Sequence, residues 1–311
     1  MAEDPAGLSG KGKGMPYGSQ STGGLLYALC AFGFWGLVPI YFKALQHVPA
    51  MEVLAHRVFW SVPVTVLMLS AGRGWKGLVG SVGSTKVLLT LLLSATLVIG
   101  NWFVFIYAVQ SGKVLEASLG YYINPLVNVI LGTVFLGERL RRTQVAVVLL
   151  AGAGTLNLVV SLGVVPWIAL LLAGSFGLYG LIRKTVAVEP VEGLLVETVL
   201  IAPFALGYLL WLGFKTQIAF GLVDTATTVL LALAGAVTVL PLVWFTHAAR
   251  RLPLSTLGLT QYLAPTIQFL LGALVYAEPF GWRHLVTFSC IWAGVAIFAV
   301  EAWTLKRSRL R

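Results

Sequence analysis

Ionisable side chains inside long apolar stretches are costly in hydrocarbon, so each one marks either chemistry or the locking of helices. In this 311-residue chain they are few. Glu52, His56 and Arg57 share one apolar run, the first two a helical turn apart on one face. Glu192 and Glu197 share another, Glu116 opens a third and His247 nearly closes a fourth. Acid–base catalysis needs such groups, but also a nucleophile or a metal set, and neither is present. There is no H-E-x-x-H and no C-x-x-C, and the two aspartates, Asp4 and Asp224, lie outside the apolar runs. Cys30 and Cys290 sit inside apolar runs and read as small core hydrophobes rather than as a bridge or a metal pair. The stretch A-G-A-G-T-L-N at 151–157 lacks the third glycine of a dinucleotide loop, and the N-terminal S-G-K-G-K-G lacks phosphate-loop spacing. Neither a metal nor a cofactor is expected, and proton transfer or binding of a charged solute remains for the ionisable groups.

A second set, of aromatic and amide residues in mid-run, suits a pocket for a small organic solute: Trp35, Asn101, Trp102, Tyr121, Tyr122, Asn124, Tyr179, Trp244, Gln261 and Tyr262. Asn128 and Gln268 belong to the same set, with interhelical hydrogen bonds, worth about 0.6 kcal/mol each, as their open alternative. Pro125 and Pro265 each remove a helix hydrogen bond at matching mid-run places and are candidate hinges. Arg57 and Glu197 each lie about six residues in from opposite faces, roughly 9 Å deep at 1.5 Å per residue. A core of about 30 Å then leaves on the order of 12 Å between them. They need separate partners: Glu116 is expected for Arg57, and Arg183 or Arg250 for Glu197. Glu197 is the first candidate for a proton-coupling group and His56 the second.

These residues must be positioned by membrane-crossing helices. The chain is 58% hydrophobic and 10% charged, with a mean hydropathy of +0.90, which no water-facing surface can accommodate. Soluble enzymes, disulfide-stapled domains and nucleic-acid binders are excluded despite a net charge of +10, because the basic residues fall in short pieces between apolar runs. The expected fold is an all-α integral membrane protein with ten spans: 23–44, 51–71, 87–109, 114–136, 143–161, 164–182, 191–213, 226–248, 254–276 and 283–304. Residues 1–22 read as a flexible tail rather than a cleavable signal, and 305–311 as a short basic tail. Sixteen of the 21 Lys and Arg residues fall on one side of this arrangement and four on the other, which puts both termini in the cytoplasm.

An offset of 140 residues pairs Glu52 with Glu192, Pro63 with Pro203, Tyr122 with Tyr262, Pro125 with Pro265 and Glu138 with Glu278. Two units of five spans each, 23–161 and 164–304, follow, and an odd number of spans per unit requires that they enter the membrane from opposite faces. This inverted repeat is the arrangement by which many secondary transporters build two alternately open pathways around a central site.

The runs E-V-L-A-H-R-V-F-W (52–60), N-W-F-V-F-I-Y-A-V (101–109), V-L-E-A-S-L-G-Y-Y-I-N-P-L (114–126), F-L-G-E-R-L (135–140) and R-R-L-P-L-S-T-L-G-L-T-Q-Y-L-A-P-T-I-Q-F-L (250–270) resemble the RarD-type proteins of the drug/metabolite transporter superfamily. The resemblance covers about residues 23 to 300 and implies a bacterial inner-membrane permease or exporter built from two EamA-type repeats. It further implies that spans 1, 3, 4, 6, 8 and 9 contribute to the cavity and that spans 5 and 10 lie outside it. The expectation is a secondary transporter that carries a small metabolite or drug-like solute by alternating access, with the bilayer as its surroundings. A passive channel, a receptor and an intramembrane enzyme are the alternatives. No nucleic-acid partner is expected, a monomer and a homodimer both fit, and proton coupling is open.

Overall fold

The computed structural model describes residues 22–72, 75, 77, 78, 83–110, 114–162 and 167–275, and beyond these residues 281, 282, 285, 286, 289, 290, 292–294, 296, 297, 300 and 301. The two predicted tails apart from Thr22, half of the tenth span and the side chain of Glu116 lie outside the described residues. The helices are α1 (Thr22–Ala44), α2 (Ala50–Ala71), α3 (Thr85–Gln110), α4 (Val114–Leu136), α5 (Arg142–Leu162), α6 (Trp167–Thr185), α7 (Pro190–Phe214), α8 (Thr225–Arg251), α9 (Leu254–Gln261) and α10 (Leu263–Leu270), the last running into a π-helical turn, Leu271–Val275. Six of them, α1, α2, α3, α6, α7 and α8, are long and apolar enough to cross a membrane.

The surface is apolar and the interior partly polar, the reverse of a soluble domain. Leu67, Leu89, Val134, Leu149, Phe204 and Phe214 point outward, while Glu52, Asn128, Arg183 and Glu197 are buried. The principal helix contacts join the first half of the chain to the second: α1 with α8, α2 with α7 and α8, α3 with α6, α4 with α6 and α9. Glycines permit the closest of these approaches. A Cβ on Gly235 in α8 would run into the backbone of Trp60 in α2, and one on Gly258 in α9 would stand 2.8 Å from the carbonyl oxygen of Pro125 in α4.

The two candidate hinge prolines differ in their effect on the helix. The predicted ninth span is broken at Tyr262 into α9 and α10, because Pro265 has no N–H to offer the Gln261 carbonyl and its ring crowds that carbonyl. Pro125 leaves α4 continuous from Val114 to Leu136, held there by the close backing of Gly258. Cys30 is exposed on α1 rather than part of the core, which corrects its assignment as a buried hydrophobe; an apolar run in a membrane has an outward face as well as an inward one.

Candidate functional site

A cavity of about 420 Å³ opens between the two halves of the chain. It runs from mid-depth, at Phe32 and Leu242, to the end of the molecule where α1 joins α2, at Gln46, Val48 and Ala50. Eight of the described helices, all but α5 and α7, contribute inward-turned residues. Trp35 and Phe42 come from α1, Arg57 from α2, Asn101 and Trp102 from α3, Tyr121 and Asn124 from α4, Phe176 from α6, Thr238 from α8, and Gln261, Pro265 and Gln268 from α9 and α10. The wall is mostly apolar and aromatic with a few placed polar groups, the usual make-up of a small-molecule site.

Arg57 carries the only charge among the described lining residues. Its Nε–H donates to Thr238 Oγ1 at 3.0 Å, and the guanidinium lies 4.3 Å from the Trp102 ring centroid and 5.3 Å from that of Phe42. The aromatic faces stabilise the cation directly. The amides grip α6: Asn101 Nδ2 donates to Leu172 O at 2.8 Å and to Ser175 Oγ at 2.9 Å, and Asn124 Nδ2 donates to Ala173 O at 2.8 Å. Behind them Asn128, off the cavity wall, donates to Asn124 Oδ1 at 3.2 Å and Gln261 Oε1 at 3.0 Å. Gln268, open on sequence to both a pocket role and an interhelical role, lines the cavity and also donates to Trp35 O at 3.1 Å.

Four aromatic residues expected in the pocket stand elsewhere. Tyr122 and Tyr262 pack against each other's helices with Val147 and Leu259. Tyr121 lines the cavity, while Tyr122, about 100° further around α4, turns toward Tyr262. Tyr179 is wholly buried, stacked on Phe245 with ring centroids 6.0 Å apart, and Trp244 packs edge-on against Phe34.

Away from the α1–α2 end the cavity stops at an aromatic plug in which Phe245 touches Phe32, Trp35, Phe176 and Tyr179. Beyond it Arg183 of α6 meets Glu197 of α7 at 3.5 Å, and its Nη2 also donates to Pro190 O at 2.9 Å. Gly193 makes room for this guanidinium. Arg250 pairs instead with Glu189, at 3.0 Å. Lys184 donates to the carbonyls of Ala249 and Leu252, tying the end of α6 to the end of α8.

The remaining acids are ties. Glu52 Oε1 accepts the N–H of Ala219 at 2.6 Å, holding the α7–α8 connection; His56 stacks on Phe220 and stands 3.8 Å from Glu52, away from the cavity. Glu192 lies against Gly77 in the connection between α2 and α3, where a Cβ on that glycine would run into Glu192 Oε1. Glu138 was not a sequence candidate, yet its carboxylate accepts the N–H groups of Leu254 at 2.6 Å and Ser255 at 2.9 Å, capping α9. Gly137, at φ 63°, ends α4 and turns Glu138 toward that cap. A glycine and an acid closing an apolar run signal a helix end, but not which distant helix is capped.

Residues 22–160 match the EamA-like transporter family. The chain is 47% identical over 278 residues to an uncharacterized transporter of Vibrio cholerae, covering 89% of this chain and 92% of that protein. It is 46% identical over 290 residues to Protein RarD of Escherichia coli, covering 93% and 98%. It is 32% identical over 292 residues to the chloramphenicol-sensitive protein RarD of Pseudomonas aeruginosa, covering 93% and 97%. A solved crystal structure of a protein 21% identical aligns with a TM-score of 0.66 over 90% of this chain and 98% of its own, a likeness of fold.

Proposed function

This chain belongs to the RarD-type transporters of the drug/metabolite transporter superfamily, and from that premise we propose that it carries a small organic solute across the bacterial inner membrane by alternating access around the central cavity. The observation that carries the reading is the one-sided cavity: it reaches the α1–α2 end and is closed at the other by the Phe245 plug, the Arg183–Glu197 pair and Lys184. Under the positive-inside assignment the α1–α2 end faces outward, so this is the outward-open state of a ten-span protein with both termini inside.

The contact pattern supports two inverted units of five helices, 23–161 and 164–304. Moving every helix to its counterpart 140 residues away sends α1 with α8 into α6 with α3, leaves α2 with α7 unchanged, and sends α4 with α6 into α9 and α10 with α1; all these contacts occur. Equivalent packing allows the same rocking motion to close one end as it opens the other. The break at Tyr262 supplies a place to bend. In this reading Trp35, Arg57, Asn101, Trp102, Tyr121, Asn124 and Gln261 bind solute, and Glu197 is the proton-coupling site.

The test is counterflow in proteoliposomes. Preloaded unlabelled solute should drive transient uptake of labelled solute above equilibrium, and the initial rate should saturate. Equilibration without overshoot would mean a channel, and binding without movement a receptor.

A further inference from the structure

We propose that the cavity selects a monoanion, a carboxylate on a flat apolar body, with Arg57 as the residue that recognises the charge; the assignment rests on the transporter reading for its purpose but on the cavity alone for its chemistry. The guanidinium is already arranged for such a ligand. Its Nε–H is tied to Thr238 and the guanidinium lies 4.3 Å from the Trp102 ring centroid, so its plane is held, while its two terminal amino groups have no hydrogen-bond partner among the described residues. A fixed fork whose two tips have no partner among the described residues matches a carboxylate with two parallel hydrogen bonds.

The rest of the wall argues for what the anion carries. Trp35, Phe42, Phe105, Tyr121 and Phe176 offer aromatic faces and edges, so an aromatic or similarly flat apolar body recovers burial on entry. A second negative charge has no match, because Arg57 is the only cation among the described lining residues, and an uncompensated charge in a low-dielectric site is costly. A positive group fares worse. No carboxylate lines the cavity among the described residues to offset an ammonium beside Arg57, and Asn124 Oδ1 and Gln261 Oε1 are both turned to Asn128. The preference is therefore for the simple carboxylate over its α-amino zwitterion.

Four probes of one shape separate the contributions: 3-phenylpropanoate, 3-phenylpropanol, L-phenylalanine and 2-phenylethylamine, titrated against the purified full chain by calorimetry and by thermal stabilisation. The carboxylate should bind at least about tenfold tighter than the alcohol, with the zwitterion below the alcohol and the amine weakest. Arg57→Gln should abolish the roughly tenfold preference for the carboxylate over the alcohol, and a cooperative melt of the variant without ligand reports that it is folded. Arg57→Lys, which keeps the charge and loses the fork, should fall between. Equal affinity for carboxylate and alcohol in the native chain overturns the proposal, whatever the variants do, and would be the result if an acid already neutralised Arg57. Binding by none of the four overturns the assignment of the body. Carboxylate binding without counterflow would keep the site and remove the transporter reading; saturable counterflow with no preference for anions would do the reverse.

Discussion

Arg183 and Glu197 face each other at 3.5 Å with exposures of 0% and 2%, an ion pair shut inside the helix bundle on the closed side of the cavity. Coulomb attraction at that distance is large in a low-dielectric interior, but so is the cost of bringing both charges there. The pair is therefore expected to matter less as a source of stability than as a latch, whose two members are each costly to leave alone. Arg183→Met should destabilise the protein by about 3–5 kcal/mol in thermal or denaturant melts, and Arg183→Met with Glu197→Leu should recover most of that. Strict additivity of the single changes would show that the residues do not interact. In proteoliposomes Glu197→Gln should remove any dependence of transport on a pH gradient while solute exchange continues; accumulation still driven by the gradient would take Glu197 out of the coupling role.

Glu138 joins the two halves of the chain through one carboxylate that caps α9. Replacement by Ala leaves the N–H groups of Leu254 and Ser255 without their acceptor and should cost about 1–3 kcal/mol, read as a lowered melting temperature. Glu138→Gln keeps one acceptor oxygen and should cost less.

Two glycines give a matched comparison. Gly235→Ala would press a methyl group against the Trp60 backbone and force α8 from α2, at a cost of about 1–3 kcal/mol or loss of folded protein. Gly100→Ala in α3 meets nothing within 4 Å and should be neutral or stabilising by up to about 1 kcal/mol. Melting curves of the two variants in the same detergent decide it.

Asp224 lies outside the helices at the N-cap of α8, and the Thr227 N–H at 2.7 Å and hydroxyl at 2.8 Å hold its carboxyl below the usual carboxylate range. A group whose folded pKa is depressed stabilises fully above its unfolded value, about 3.9, and loses that contribution as the pH falls through the folded value. Melting temperature should therefore drop on acidification below about pH 4, and Asp224→Asn, itself a good cap, should flatten that part of the profile. An unchanged profile in the variant would assign the acid sensitivity to other carboxylates.

Sidedness follows from the basic residues and can be read in cells. His47 is exposed in the α1–α2 connection, so His47→Cys should label with an impermeant maleimide added outside, and a reporter fused after Arg311 should be cytoplasmic. Protection of the cysteine together with a periplasmic reporter would reverse the orientation.

The sequence by itself determined that the chain is helical and apolar, since runs of about 20 apolar residues have few alternatives to helix in hydrocarbon. It also revealed the family, through long motifs, and the pairing of residues 140 apart. It identified Arg57, Asn101 and Asn124 as inward polar groups, because a polar residue amid apolar ones has little reason to face lipid. What it could not supply was the direction of each side chain around its helix. Tyr121 and Tyr122 are adjacent and chemically alike, yet one lines the cavity and the other packs behind it, a difference set by how α4 sits on α6 and α9. Only tertiary packing decided that Glu197 turns to Arg183 while Arg250 takes Glu189, because both arginines lie at a compatible depth. It also decided that Pro265 breaks its helix while Pro125 does not. Proline weakens a helix locally, and the helix packed against it determines whether the weakness becomes a bend.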